Sequence, residues 1–444
     1  MHFKFISLKD LKILFIAGLL FTITVACNKP DDSKNPAPTV FIEQTETGYR
    51  LIRNGEPFYI KGGAASSQYL EELMEAGANT ARIYDTINLK ETLDRAEDLG
   101  LAAVVDIPMP KFVNDPEFYE NQELFELMKS RIERVVQKHK NHPALLYWNL
   151  GNELYYPYFY KITNFYSNFN ILIDLIHNID PNHPISTTTI GANKLRVLSI
   201  HRKSPKLDFI SFNSFGVLSS FSQKLRPIAL FWSGPHVITE WGVNGPWEAQ
   251  LTEWGAPIEE TSTKKAEQIK QRYHDYIEPL KKNNSLGSFV FYWGKKDEVT
   301  PTWYSLFGDS RKKTQAVFEL AKIWSNNKLN YKGPELDYIL LNDKGALESI
   351  ILSPQTEVAA EVILPESKIQ NIEYHWEIRY ESWYKSHESI LAEGIHYQKT
   401  GNKVIFKTPE REGPYRLFLY LTDESDYFAT ANIPFYVLKP NNGE

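Results

Sequence analysis

The chain of 444 residues has a single cysteine, Cys27, and only four methionines. One cysteine can form no internal disulfide and no zinc knuckle. The 11 histidines are scattered and no His-Glu-x-x-His run occurs, so metal-ligand spacing is missing and neither a metal nor a cofactor is expected. Basic excess is missing too. Lys and Arg total 49 against 55 Asp and Glu, for a net charge of −6, with no basic stripe to hold a nucleic acid. The longest apolar run, Ile13–Ala26, spans 14 residues, too few to cross a bilayer comfortably. Aromatics, by contrast, are abundant: 10 Trp, 25 Tyr and 25 Phe, enough to leave rings outside the core for stacking against sugar C–H faces.

The apolar run follows Lys4, Lys9 and Lys12 and stops at Cys27, which gives residues 1–26 the form of a secretory signal. Val25-Ala26-Cys27 resembles a bacterial lipoprotein signal, although Thr24 stands where such signals usually have Leu. The resemblance implies lipidation of Cys27, a membrane anchor, and an outer-membrane lipoprotein exposed at the cell surface, with a periplasmic orientation as the alternative. Asp31-Asp32-Ser33 resembles the short acidic tract that sends Bacteroidetes lipoproteins to the outer surface. Residues 27–39, with three prolines, read as a flexible tether.

From Phe41 to Ile60 apolar and polar residues alternate around Asn54-Gly55, a hairpin turn signal. Eight short apolar runs follow: Tyr59–Ala64, Asn79–Asp85, Ala102–Ile107, Ala144–Asn149, Pro184–Ile190, Asp208–Phe215, His236–Glu240 and Ser288–Trp293. Between most of them lie helical patterns such as Gln122–His139 and Lys264–Lys282. Eightfold strand–helix alternation predicts an α/β fold, a (β/α)8 barrel over residues 40–325 that includes the N-terminal hairpin. An open doubly wound sheet would want a glycine-rich phosphate loop after its first strand, and Lys61-Gly62-Gly63-Ala64 is only a faint version of one. Beyond the polar link Asn326–Leu336 the pattern turns to short alternating segments, so residues 336–444 are expected to form an immunoglobulin-like or fibronectin-like β-sandwich.

Two glutamates stand at strand ends: Glu153 in Gly151-Asn152-Glu153 after the fourth run, and Glu240 in Thr239-Glu240-Trp241-Gly242 at the seventh. In a barrel both fall on the catalytic face, where paired carboxylates can flank a glycosidic bond. In this strand order the chain resembles a clan A glycoside hydrolase over about residues 40–325. The resemblance implies a retaining enzyme, with Glu240 as nucleophile and Glu153 as acid/base. It further implies that Arg82 keeps the nucleophile ionised, that Asn152 meets the sugar 2-hydroxyl, and that Trp293 at the end of strand eight floors the sugar ring. Like charge between the glutamates is expected to keep Glu153 protonated. Relatives often carry a strand-six Tyr on the nucleophile; Phe215 stands there, so either Asn213 or a Tyr from elsewhere, such as Tyr84, supplies that hydrogen bond, or it is missing.

Trp241, Trp247 and Tyr155 complete the expected sugar-binding set, with Tyr156, Tyr158 and the ring-rich segment to Trp254 around the rim. Family 2 barrels usually carry Arg-Thr-Ser-His after strand two. Here Arg82-Ile83-Tyr84-Asp85 is nearer to families 17 and 72, and the domain pattern also resembles family 158 endo-β-1,3-glucanases. A β-1,3-glucan is therefore the favoured polysaccharide substrate, and a monomer the expected state. A family 2-like β-galactosidase or β-mannosidase, a transglycosylase and a non-catalytic glycan-binding lipoprotein stay open as alternatives.

Overall fold

A computed structural model describes residues 39–440 apart from 112–113, 159–162, 326–327, 329, 366–370 and 384–389. The expected signal, Cys27 and most of the tether thus lie outside the described residues.

Strands β1 (Val40–Thr45), β2 (Gly48–Arg53) and β3 (Glu56–Phe58) form an antiparallel sheet, turned at Asn54-Gly55, where both residues take positive φ. Eight parallel strands then close a barrel. They are β4 (Ile60–Ala65), β5 (Thr80–Ile83), β6 (Ala102–Ile107), β7 (Leu145–Asn152), β8 (Ile185–Ile190), β9 (Phe209–Asn213), β10 (His236–Trp241) and β11 (Ser285–Trp293). Their near-continuous Val, Ile, Leu and Phe content suits burial on both faces. The hairpin plugs the end where the strands begin: Val40, Leu51 and Ile60 pack with Val104, Tyr147, Phe209, Val237 and Phe289. Gly62 serves that plug. A Cβ there would lie 2.4 Å from the Phe289 ring, so its glycine makes room for a side chain rather than for a phosphate.

The helix Gln122–His139 has the span its periodicity predicts, capped by the Asn121 side chain on the Leu124 amide. The run Lys264–Lys282 does not stay one helix. It forms Ser262–Arg272, a π turn at Tyr273–Ile277, then Glu278–Leu280, where Pro279 lacks the N–H that an uninterrupted helix would use. The helix Lys194–Lys203 has a weak sequence signal, because Lys194, Arg196, Arg202 and Lys203 blur its apolar face.

The C-terminal unit holds two four-stranded sheets. One is β12 (Tyr338–Leu341), β14 (Glu357–Ile363), β17 (Lys403–Lys407) and β16 (Tyr397–Thr400). The other is β13 (Ile351–Leu352), β19 (Phe428–Val437), β18 (Gly413–Thr422) and β15 (Glu373–Tyr380). Their inner faces share one apolar cluster, including Trp376, Leu417 and Phe435, as in a sandwich.

The sandwich is seated on the barrel loops that follow β10 and β11. Buried Glu259 accepts from Lys265, Thr300 and Thr302 of the barrel side and from Asn432 of β19. Arg416 of β18 donates to Glu381 at 2.8 Å, to Asn432 at 2.7 Å and to the Pro257 carbonyl at 2.7 Å. Burial raises the Glu381 carboxyl, and Arg416 opposes that rise. Removing one member of such a pair leaves the other charge buried and alone. Arg416→Met should therefore lower the unfolding free energy by about 3–5 kcal/mol, measured by urea denaturation. A loss below about 1 kcal/mol would show that the joint holds nothing together.

Candidate active site

The end of β7 bends sharply. Gly151 takes φ +78° and Glu153 φ +57°, and a Cβ at Gly151 would lie 2.4 Å from the Leu154 side chain. A left-handed glutamate costs roughly 1–2 kcal/mol, and such strain concentrates at functional positions. The bend is held by the Glu153 amide donating to the Thr188 carbonyl at 2.9 Å.

Arg82 organises what lies above it. Arg82 lies on β5, and Tyr84 follows directly after the strand's last residue, Ile83. The fully buried guanidinium spends all five N–H groups. Nε and Nη2 grip Asp106 at 3.1 and 2.7 Å, and Nη2 also reaches Asn152 Oδ1 at 2.9 Å. Nη1 donates to Glu240 Oε1 at 2.9 Å and to the Thr239 carbonyl at 3.1 Å. Burial would weaken its charge, but Asp106, Tyr84 and Glu240 outweigh that and keep it firmly ionised.

Tyr84, not a strand-six residue, gives Glu240 its hydroxyl partner: Oη donates to Oε1 at 2.9 Å. Asn213 turns to the other carboxyl. Its Nδ2 donates to Glu153 Oε1 at 2.8 Å and to Asn152 Oδ1 at 3.1 Å, while its Oδ1 accepts from Thr239. Lys111, in the loop after β6, donates to Glu153 Oε2 at 3.1 Å. The two glutamates are thus linked through Arg82, Asn152 and Asn213 in one polar network. Glu240 is 6 % exposed, and its Oε2 carries no hydrogen bond among the described residues.

Of the two glutamates, Glu240 has a raised carboxyl pKa. Glu240 is raised to about 7 in all: burial and, less strongly, the charge of Glu153 push it up, while Arg82 and the Tyr84 hydroxyl hold it down. Desolvation disfavours the charged form of a carboxyl enclosed as Glu240 is.

Several expected sugar contacts need correction. Trp293 is fully buried; its indole N–H donates to the Tyr69 carbonyl at 3.0 Å and its ring packs on Phe307 and Trp324. The reason is a register shift in β11 between Val290 and Trp293, which leaves Tyr292 half-buried beside Tyr84 instead. Trp241 is likewise buried, against Tyr273, and a buried ring cannot stack on a sugar. Tyr156 lies in the core under Phe165, and Trp254 faces Tyr436 of the sandwich. Exposed rings do stand at two sites: Trp247, 67 % exposed and edge-on to Phe215, and Tyr155, 41 % exposed under Arg196. Asp106 and Lys111 went unnoticed in the sequence. Asp106 left a usable sign, as the lone carboxylate inside the strand run Ala-Ala-Val-Val-Asp-Ile.

A carboxyl whose folded pKa stands above its unfolded value favours folding when protonated, and this contribution is lost as pH rises through about 7. Glu240→Gln, which cannot ionise, should therefore melt at a higher temperature than the wild type at about pH 8, with the gap closing near pH 4. Equal melting temperatures at both values would contradict the raised pKa.

Residues 77–294 match the family model described as glycosyl hydrolases family 2, TIM barrel domain. The β-galactosidase of Leuconostoc mesenteroides is 25 % identical over 183 residues, covering 34 % of this chain and 16 % of the galactosidase. The β-galactosidase of Enterobacter cloacae is 22 % identical over 205 residues, covering 39 % and 18 %. The chain therefore matches less than a fifth of the length of either relative. Among solved structures, the apo β-glucuronidase of Ruminococcus gnavus superposes with a TM-score of 0.51 at 18 % identity, over 65 % of this chain and 53 % of that one, a likeness of fold. The closed barrel and the matched model agree: residues 77–294 are similar to the TIM barrel domain of glycosyl hydrolases family 2, a clan A fold.

Proposed function

We propose that the protein is a retaining β-glycoside hydrolase working by double displacement. The observation that carries this reading is the network joining Glu240 to Glu153 through Arg82, Asn152 and Asn213. Tyr84 and Arg82 both load Glu240 Oε1 and leave Oε2 without a hydrogen bond, which suits a nucleophile.

In the first step Glu240 attacks the anomeric carbon, the bond to the leaving oxygen breaks, and Glu153 delivers its proton to that oxygen. In the second, Glu153 takes a proton from water, the water oxygen bonds the anomeric carbon, and the ester to Glu240 breaks. Arg82 and Tyr84 stabilise the carboxylate that leaves at the end. Asn152 is suited to the sugar 2-hydroxyl, while Tyr155, Trp247 and Tyr292 offer ring faces to the rest of the substrate.

The substrate is a β-linked polysaccharide or oligosaccharide. The Arg82-Ile83-Tyr84-Asp85 run favours a β-1,3-glucan, and the family 2 match brings β-galactosides and β-glucuronides into the same test set. Anchoring through Cys27 at the outer membrane would bring the enzyme to polysaccharide outside the cell. Cys27→Ser should then release the protein from the membrane fraction, and unchanged retention would refute lipidation.

Glu240→Gln and Glu153→Gln should each lower turnover roughly a thousandfold or more. Azide should restore activity to Glu240→Gly with inverted product. Near-normal turnover in either Gln variant would refute the roles, and products longer than the substrate would mark transfer rather than hydrolysis.

Attack requires ionised Glu240, so the acidic limb of kcat/KM should fall near pH 7. Tyr84→Phe removes a donor that favours the ionised form, so it should move that limb upward and lower kcat/KM roughly tenfold or more. An unmoved limb would separate Tyr84 from the nucleophile.

A further inference from the structure

Lys111 touches the group proposed as acid/base in a way that opposes that task. Its Nζ lies 3.1 Å from Glu153 Oε2, with side chains 40 % and 21 % exposed, so the pair is open to solvent. A general acid must hold a proton as the glycosidic oxygen leaves, yet an ammonium at hydrogen-bond distance favours the carboxylate. Asn213 donates to the other oxygen at 2.8 Å, so both Glu153 oxygens are already engaged. Glu153 can act as an acid most readily when Lys111 is engaged elsewhere.

A second cation on the same face is short of partners. Arg196, in the first turn of the helix Lys194–Lys203 that follows β8, is 8 % exposed and lies 5.1 Å from the exposed Tyr155 ring. Its Nε is buried without a hydrogen-bond partner, and its Nη1 makes only long contacts, 3.4 Å to Thr189 Oγ1 and 3.3 Å to the Ile190 carbonyl. No acidic side chain pairs with it among the described residues. Lys296, on the loop after β11, differs in being paired with Glu298 at 3.1 Å. A buried guanidinium with an unused donor is costly unless an anion arrives to meet it.

We propose that Lys111 recognises an anionic group, a carboxylate or a sulfate, on the leaving-group portion of the substrate, and that it frees Glu153 by passing its ion pair to that group. This rests on the reading of Glu153 as acid/base. Substrate charge then both binds and activates: as Lys111 swings to the substrate anion, Glu153 Oε2 is released, accepts a proton from solvent and turns to the glycosidic oxygen. Arg196 extends the positive field along the same side.

The test uses aryl β-glycosides of whichever sugar the wild-type protein accepts, with the aryl group bearing a carboxylate, its methyl ester or a sulfate. Wild type should prefer the charged forms in kcat/KM. Lys111→Met should lower the charged-to-ester ratio roughly tenfold, and Lys111→Arg should retain most of it. Taking the ratio within each protein cancels the electronics of the leaving group. Loss of the carboxylate ratio assigns a uronate-type substrate, and loss of the sulfate ratio a sulfated one. Turnover with equal ratios in wild type and Lys111→Met overturns this inference alone. Absence of turnover on every glycoside overturns the hydrolase reading together with it.

Discussion

Arg82 is the constraint from which the site is built. A guanidinium sealed from water must find acceptors for five N–H groups, and here it finds them on three different strands: Asp106 on β6, Asn152 on β7, and Thr239 and Glu240 on β10. Its planar fork leaves those acceptors little freedom, which makes the charge a locating device as well as a counterion. Asp106 neutralises it from below, so Glu240 need not be its sole partner. That sharing permits a nucleophile that is strongly held yet still has an unbonded oxygen.

Around this point the fold assigns separate duties to its two ends. The end where the strands begin is filled by apolar side chains and closed by the N-terminal hairpin. The end where they finish carries the polar layer and the loops. The sandwich enters here, because its contacts run to the loops after β10 and β11 rather than to the outer helices alone. Trp303 donates to the Asn244 carbonyl and Tyr304 packs on Phe291, which in turn packs on Tyr84. Ordering of the nucleophile side of the site is therefore continuous with the buried joint between barrel and sandwich.

Much of this was legible in the chain. Eight apolar runs and their helical spacers predict the barrel because period-2 and period-3.6 burial are local properties of a sequence. The boundaries slipped where local pattern is weak: β7 continues through Asn152 because the polar residues at its end are bonded by neighbouring strands, which no window of sequence displays. Trp293, expected as an aromatic floor, is instead buried, and the register of β11 shifts between Val290 and Trp293, which local pattern does not display. Tyr84 stood only as a fallback for a partner that relatives place on strand six.

By itself the sequence determined the architecture and the pair of carboxyl groups at strand ends, since strand periodicity and loop chemistry are written in near neighbours. Tertiary structure alone decided which groups surround those carboxyls, and which of them is desolvated. Arg82 meets Asp106 across 24 residues and Glu240 across 158, and Lys111 meets Glu153 across 42. Pairings at such separations follow from barrel closure and register, and so do the pKa of Glu240 and the identity of the rings left open to a sugar.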